Sequence, residues 1–332
     1  MMIRRPVRTA IALTAAALSG TLLLTACGGE SKAQGSDGKL DVVASFYPME
    51  FLAAQIGGEH VKVTDLTPAG VEPHDLELTA KQVARVKKAD AVVYLKGLQP
   101  TVDKAVSGTK RAVDATAASP LADHHLDEGH AEGDGHDHAG PAGDPHIWLD
   151  PTRYAAVARS VGAGFAEADP AHAADYRKNA DELVARLTAL DEDFKAGLKD
   201  ATSRTFVTSH AAFGYLADHY GLTQVAINGV DPESEPTPAR LAEVQKAARD
   251  NGATTVFFET LVSPKLAETV AKDLGLKTAV LDPLEGVKEP AKDDYLTVMR
   301  QNLANLRAAL GATAAAPGTP AAAPATTPAT TS

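Results

Sequence analysis

Three histidines stand where imidazoles can gather on a divalent metal ion. His146 lies in the run D-P-H-I-W-L-D-P, residues 144–151, with a proline on either side and the chain's single tryptophan, Trp148, two positions on. His74 sits in a Pro/Gly loop, residues 67–75, after a strand-like run, and His210 directly follows the apolar run 205–209. Asp282 ends another such run, 277–281. Three imidazoles and one carboxylate make a tetrahedral shell suited to Zn²⁺, with Zn–N near roughly 2.0–2.1 Å. Manganese prefers a shell richer in oxygen. Sites built on two or more thiolates are excluded, because Cys27 is the only cysteine. Each candidate has an ordinary alternative as well. A histidine at a strand end also serves as a surface or hydrogen-bonded group, and Asp282 before Pro283 also sets a turn. Glu259, at a further strand end, either supports a ligand from behind or faces solvent. Trp148 reads as packing, and His60, His172 and His219 as ordinary polar residues.

The elements that must position these groups read as alternating strands and helices, the pattern of a parallel α/β sheet. In the first half, strands are expected at 41–45, 61–66, 91–95 and 111–114. Helices are expected near 49–56 and from the capping box Thr79/Gln82 to about residue 88. Asp150-Pro151 starts a helix that runs to about residue 168. Asp169-Pro170 then opens a long helix, with Tyr176, Ala180, Leu183, Leu187, Leu190, Phe194 and Leu198 on one stripe. That stripe extends over roughly 30 residues, or about 45 Å, long enough to join two lobes. A second set follows, with strands at 205–209, 223–227, 254–259 and 277–281 and helices at 211–220, 238–251, after Ser263-Pro264 and at 293–310. His74, His210 and Asp282 all fall at strand ends or in the loops beyond, the edge that faces the ligand crevice in open α/β sheets. The expected division is a first lobe at 40–168, a linker helix at 169–200 and a second lobe at 201–310, with the metal between the lobes.

Composition bounds the rest. Apolar content of 44% and charged content of 23% suit a globular chain with a real core. The net charge of −11 argues against nucleic acid, which requires a basic surface. Residues 1–27 form a leader, with Arg4, Arg5 and Arg8 ahead of an apolar stretch of about 15 residues, too short to span a bilayer. The leader ends L-T-A-C-G, which resembles a bacterial lipobox. That implies cleavage before Cys27, lipid on its sulfur and new amino terminus, and anchoring at the outer face of the cytoplasmic membrane. Residues 28–39 read as a polar tether and 311–332 as an Ala/Pro/Thr tail with no core-forming residues. Residues 121–143 read as a loop, with His124, His125, His130, His136 and His138 interleaved with six acidic residues.

Four motifs in order carry a family resemblance: G-V-E-P-H-D-L-E (70–77), D-P-H-I-W-L-D-P (144–151), S-H-A-A-F-G-Y-L (209–216) and L-D-P-L-E-G (281–286). Together they resemble the zinc-uptake branch of the metal-specific solute-binding proteins of ABC transporters, over about residues 40–310. The resemblance implies two small α/β lobes joined by one rigid helix, with the metal between them. It implies His74, His146 and His210 as ligands and Asp282 at the carboxylate position. In the manganese branches a glutamate matches His210, so the histidine here points to zinc. Some zinc members carry a glutamate directly before the first histidine; here Pro73 stands there and Glu72 one position further back. A His- and acid-rich loop also occurs in zinc members, so 121–143 reads as a loose, fast-exchanging zinc collector, the alternative being a tolerated exposed insert. The implied protein is a monomeric, lipid-anchored receptor that catalyses no reaction and delivers Zn²⁺ to a permease, with affinity falling as pH drops through about 6.5. Three rivals remain open: a manganese or iron receptor of the same fold, a zinc hydrolase with water as fourth ligand, and an adhesin-like lipoprotein. The hydrolase lacks an H-E-x-x-H motif and a separate base.

Overall fold

The computed structural model describes residues 38–109, 111–124, 143–289 and 292–312. The leader with Cys27, residues 28–37 of the tether, His125, His130, His136, His138 and the tail from residue 313 lie outside them.

The first half runs β1 (Leu40–Ala44), α1 (Tyr47–Gly57), β2 (Val61–Asp65), α2 (Ala80–Lys88), β3 (Ala91–Tyr94), α3 (Pro100–Val106), β4 (Ala112–Asp114) and α4 (Ala115–Ala118). Then come α5 (Pro151–Ala168) and α6 (Ala173–Leu198). The second half runs β5 (Thr205–Thr208), α7 (Gly214–Tyr220), β6 (Thr223–Ala226), α8 (Pro238–Asp250), β7 (Thr255–Phe258), α9 (Lys265–Leu274), β8 (Lys277–Val280) and α10 (Tyr295–Ala309). The strands form two four-stranded sheets, ordered β2-β1-β3-β4 and β6-β5-β7-β8, with every pairing parallel. The α/β class is as expected. The common strand order of the two sheets is not visible as a sequence repeat, because strands buried on both faces read only as short apolar runs.

Alternation along each strand divides the core. Val42, Ala44, Ala91 and Val93 face one way, into a cluster that also takes in Phe206 and Phe257 of the second sheet. Helices α1, α5, α6, α7 and α10 pack into that shared core. Val43 and Val92 face the other way, under α2 and α3. Val207 and Val256 do the same under α8 and α9. Each half is therefore a sheet with helices on both faces, and its inner helical layer is continuous with that of the other half.

Helix α6 spans 26 residues, or ~39 Å. All seven stripe residues from Tyr176 to Leu198 are buried. It touches α1 and α5 of the first half and α7 and α10 of the second. Its contact with α5 is close enough that a Cβ on Gly162 would lie 2.7 Å from the Ala180 Cβ, so only glycine fits there. The start differs from expectation: Asp169 closes α5, and Pro170–His172 make a 3₁₀ turn before α6 begins. Helix α3 was not among the expected elements, although Gln99-Pro100 carries the signal of proline at a helix start. Asp150 caps α5 by accepting from the Thr152 and Arg153 amides, and Thr79 with Gln82 forms the capping box of α2. No described helix is long and apolar enough to cross a membrane.

Candidate metal centre

Both sheets change winding direction between their two central strands, β1/β3 and β5/β7, and the crevice beyond such a point is where α/β sheets hold ligands. In the second sheet the register pairs Thr208 with Phe257. His210 and Glu259, each two residues further on, therefore leave the sheet side by side, and Glu259 Oε1 lies 2.8 Å from His210 Nδ1. His74 comes from the loop after β2, and His146 from the turn just before α5.

These loops bring His74, His146 and His210 together with one carboxylate, Glu285, so that one ligand atom from each lies within 4.8 Å of all the others. The three Nε2 atoms face the same oxygen, Glu285 Oε1, at 3.2, 3.0 and 3.1 Å. His146, His210 and Glu285 are at most 1% exposed. The His74 side chain is 11% exposed and is the one ligand candidate that reaches the surface.

The carboxylate is a correction to the expectation. Asp282 does not join the cluster: its Oδ1 accepts from the Leu284 amide (2.8 Å) and its Oδ2 from the Thr260 hydroxyl (2.7 Å). It sets the turn that follows β8. Leu284 takes a left-handed backbone, φ 57°, and that reversal delivers the next residue, Glu285, to the imidazoles. Such a conformation costs a non-glycine residue about 1–3 kcal/mol, which the fully buried leucine side chain helps to offset.

Two of the imidazoles are oriented from behind. Asp144 Oδ1 accepts from both the amide and Nδ1 of His146, at 2.9 and 2.7 Å. Glu259 Oε1 accepts from His210 Nδ1 and from the Ser209 hydroxyl, the latter at 2.6 Å. A carboxylate that accepts a hydrogen bond from Nδ1–H leaves Nε2 as the coordinating atom and makes it more basic. Glu259 therefore faces the site rather than solvent. Glu72 Oε2 accepts from the His74 amide at 2.9 Å, while its Oε1 lies 4.0 Å from His74 Nε2 and has no hydrogen-bond partner.

Charge balance follows from the same contacts. Burial alone would lower the His146 and His210 pKa values, but the carboxylates around them outweigh it and raise both, His210 well above its ordinary value. Burial alone would raise Glu285, but the His210 charge and the three imidazole contacts hold it well below the usual carboxylate range. Glu72 is pushed up to about 8 by burial and then by repulsion from Glu285, which outweigh the opposing effects of His74, its amide and His210. The carboxylates thus favour positive charge at His146 and His210, and a divalent cation at the cluster would meet the same anions.

Trp148 does more than pack. Its indole N–H donates to the Pro283 carbonyl at 2.7 Å, and the Tyr295 hydroxyl donates to the Trp148 carbonyl at 2.5 Å. The motif that carries His146 is thereby tied to the turn that carries Glu285. Trp148→Phe keeps most of the buried ring and loses the N–H. It is expected to weaken metal binding about fivefold, the worth of one net hydrogen bond, as read by chelator competition.

His124, grouped with the collector loop by sequence, lies apart from the cluster, between Asp144 and Asp218. His60 and His172 stack on each other with ring centroids 4.0 Å apart, and His219 sits between Asp150 and Asp191.

The family of the zinc-uptake complex component A, periplasmic, matches residues 42–309. The zinc-binding protein AdcA of Streptococcus pyogenes serotype M3 is 39% identical over 293 residues, covering 82% of this chain and 56% of that protein. This chain thus spans little more than half the length of that relative. The high-affinity zinc uptake system protein ZnuA of Bacillus subtilis is 36% identical over 300 residues, covering 87% of this chain and 94% of that one. The Zn(II)-bound ZnuA-like domain of Streptococcus pneumoniae AdcA superposes with a TM-score of 0.68 at 36% identity, covering 82% of this chain and 99% of the domain.

Proposed function

The chain belongs to the zinc-uptake complex component A family, and from that premise we propose that it captures Zn²⁺ outside the cytoplasmic membrane and delivers it to an ABC permease. The observation that carries this reading is the convergence of three Nε2 atoms and one carboxylate in a buried cluster. The ion is cargo. His74, His146, His210 and Glu285 hold it, while Asp144 and Glu259 orient two of the imidazoles. One carboxylate against three neutral imidazoles favours zinc over manganese. Glu285 as fourth donor fills the position that a hydrolytic zinc site leaves to water, which supports a receptor rather than an enzyme. Lipid on Cys27 would anchor the receptor, and a monomer is the expected form.

The His-rich loop is the collector in this reading. Deleting residues 125–140 leaves His124 and the four ligands in place. Calorimetric titration with Zn²⁺ is then expected to show the tight site retained and weaker ones lost. An unchanged total stoichiometry would refute the collector.

A further inference from the structure

The run that carries His146 has an aspartate four positions beyond the histidine and another two before it, Asp150 and Asp144, and the second half holds both. At one end, Asp144 Oδ2 lies 2.8 Å from His124 Nδ1, and His124 Nε2 lies 3.1 Å from Asp218 Oδ2 on α7. The His124 ring stands edge-on to Tyr215, also on α7, with centroids 4.3 Å apart. The Tyr215 hydroxyl donates to the Asp144 carbonyl at 2.7 Å and accepts from the Ala122 amide at 2.7 Å. At the other end, Asp150 Oδ2 lies 2.9 Å from Nδ1 of His219, which follows Asp218 on α7 and whose Nε2 lies 3.0 Å from Asp191 of α6. Asp191 in turn accepts from the Tyr220 hydroxyl and from Lys195.

The first turn of α7 is shaped for this contact. A Cβ on Gly214 would lie 2.7 Å from His124 Cγ and 2.8 Å from Asp144 Oδ2. Asp144 uses its other oxygen on His146 Nδ1.

We propose that His124 and His219 are positioning residues for the metal centre: with Asp218 they clamp both ends of the 144–150 run onto α7, so that the second half fixes where His146 stands. His124 is then part of this clamp rather than of the collector. A displacement of α7 would loosen His146 without touching it. That consequence for metal release rests on the receptor reading above, whereas the clamp itself does not.

The test uses the full chain with Zn²⁺ as the only metal, and measures association and chelator-driven release separately. His124→Ala and His219→Ala are each expected to speed release about tenfold, the lower end of what losing an outer partner of a ligand costs, with association unchanged. Asp218→Asn alters a side chain that is 73% exposed, so it tests the clamp even if His124→Ala fails to fold. Its release is expected to rise about fivefold. Val244→Ala, in the far core beneath α8, is the control for general destabilisation and should leave release unchanged. In zinc-free protein, the His146 Nδ1 proton resonance is expected to shift in His124→Ala and to stay in place in Val244→Ala. Unchanged release in both histidine variants would overturn the clamp. So would slowed association alone in His124→Ala, which would return that residue to the collector. If the wild type bound no zinc, the receptor reading would fall, and the Nδ1 resonance would still decide the clamp.

Discussion

Glu285→Gln is expected to weaken Zn²⁺ binding by more than about 100-fold, beyond the ceiling for losing an outer partner of a ligand. The reason is geometric and electrostatic together. Glu285 Oε1 is the one atom that all three Nε2 atoms face. Its negative charge, buried among the three imidazoles, balances part of the cation's. Asp282→Asn should behave differently. Its carboxylate accepts from the Leu284 amide and the Thr260 hydroxyl, and an asparagine oxygen can still accept from the former. A loss of about tenfold or less is expected, through looser placement of Glu285. Competition against a chelator of known affinity separates the two. If Asp282→Asn cost more than Glu285→Gln, the carboxylate would have been assigned to the wrong residue.

The second large effect is on pH. His146 and His210 have raised pKa values, from an ordinary 6.5, because carboxylates face both of their nitrogens. Zinc must displace those protons, so affinity falls as pH drops through the raised values. The loss therefore begins above pH 6.5, earlier than unperturbed imidazoles would give. Once both rings are protonated, the fall is about 100-fold per pH unit, one factor of ten for each displaced proton. Glu285, held low, stays ionised through this range. Stability of the zinc-stripped protein runs the other way. A raised histidine contributes stability that is fully present below the unfolded pKa and is lost as pH rises through the folded one. Thermal unfolding temperature without zinc is therefore expected to decline above pH 6.5, while the stabilisation conferred by zinc grows. Zinc affinity that stayed flat from pH 8 to pH 5 would contradict the imidazole shell.

The candidate site was only partly legible in the sequence. His74 and His210 stand out because strand ends of a parallel sheet face the crevice, and local patterns reveal strand ends. His146 stands out through its proline-flanked run. Glu285 does not, because Asp282 is the first carboxylate after the strand, and only the left-handed turn at Leu284 carries the chain on to Glu285. A non-glycine residue in that conformation leaves no local signature. Glu259 was left open between two roles, and the β5/β7 register decides between them by placing it beside His210. The contacts of His124 and His219 are tertiary throughout, with partners 20 to 94 positions away, and no spacing rule reaches that far. In the fold, long amphipathic α6 and the capped starts of α2 and α5 were readable from periodicity and end signals. The matching order of the two sheets was not, because order depends on which apolar strands pair.

The measurement that bears most directly on the zinc-receptor reading is metal competition on the protein from Gly28 onward, offered equimolar Zn²⁺ and Mn²⁺. Wild type is expected to retain Zn²⁺ tightly in preference to Mn²⁺, and His210→Ala to lose that retention. Equal or better retention of Mn²⁺, or tight Zn²⁺ in His210→Ala, would contradict a zinc site built on these three imidazoles.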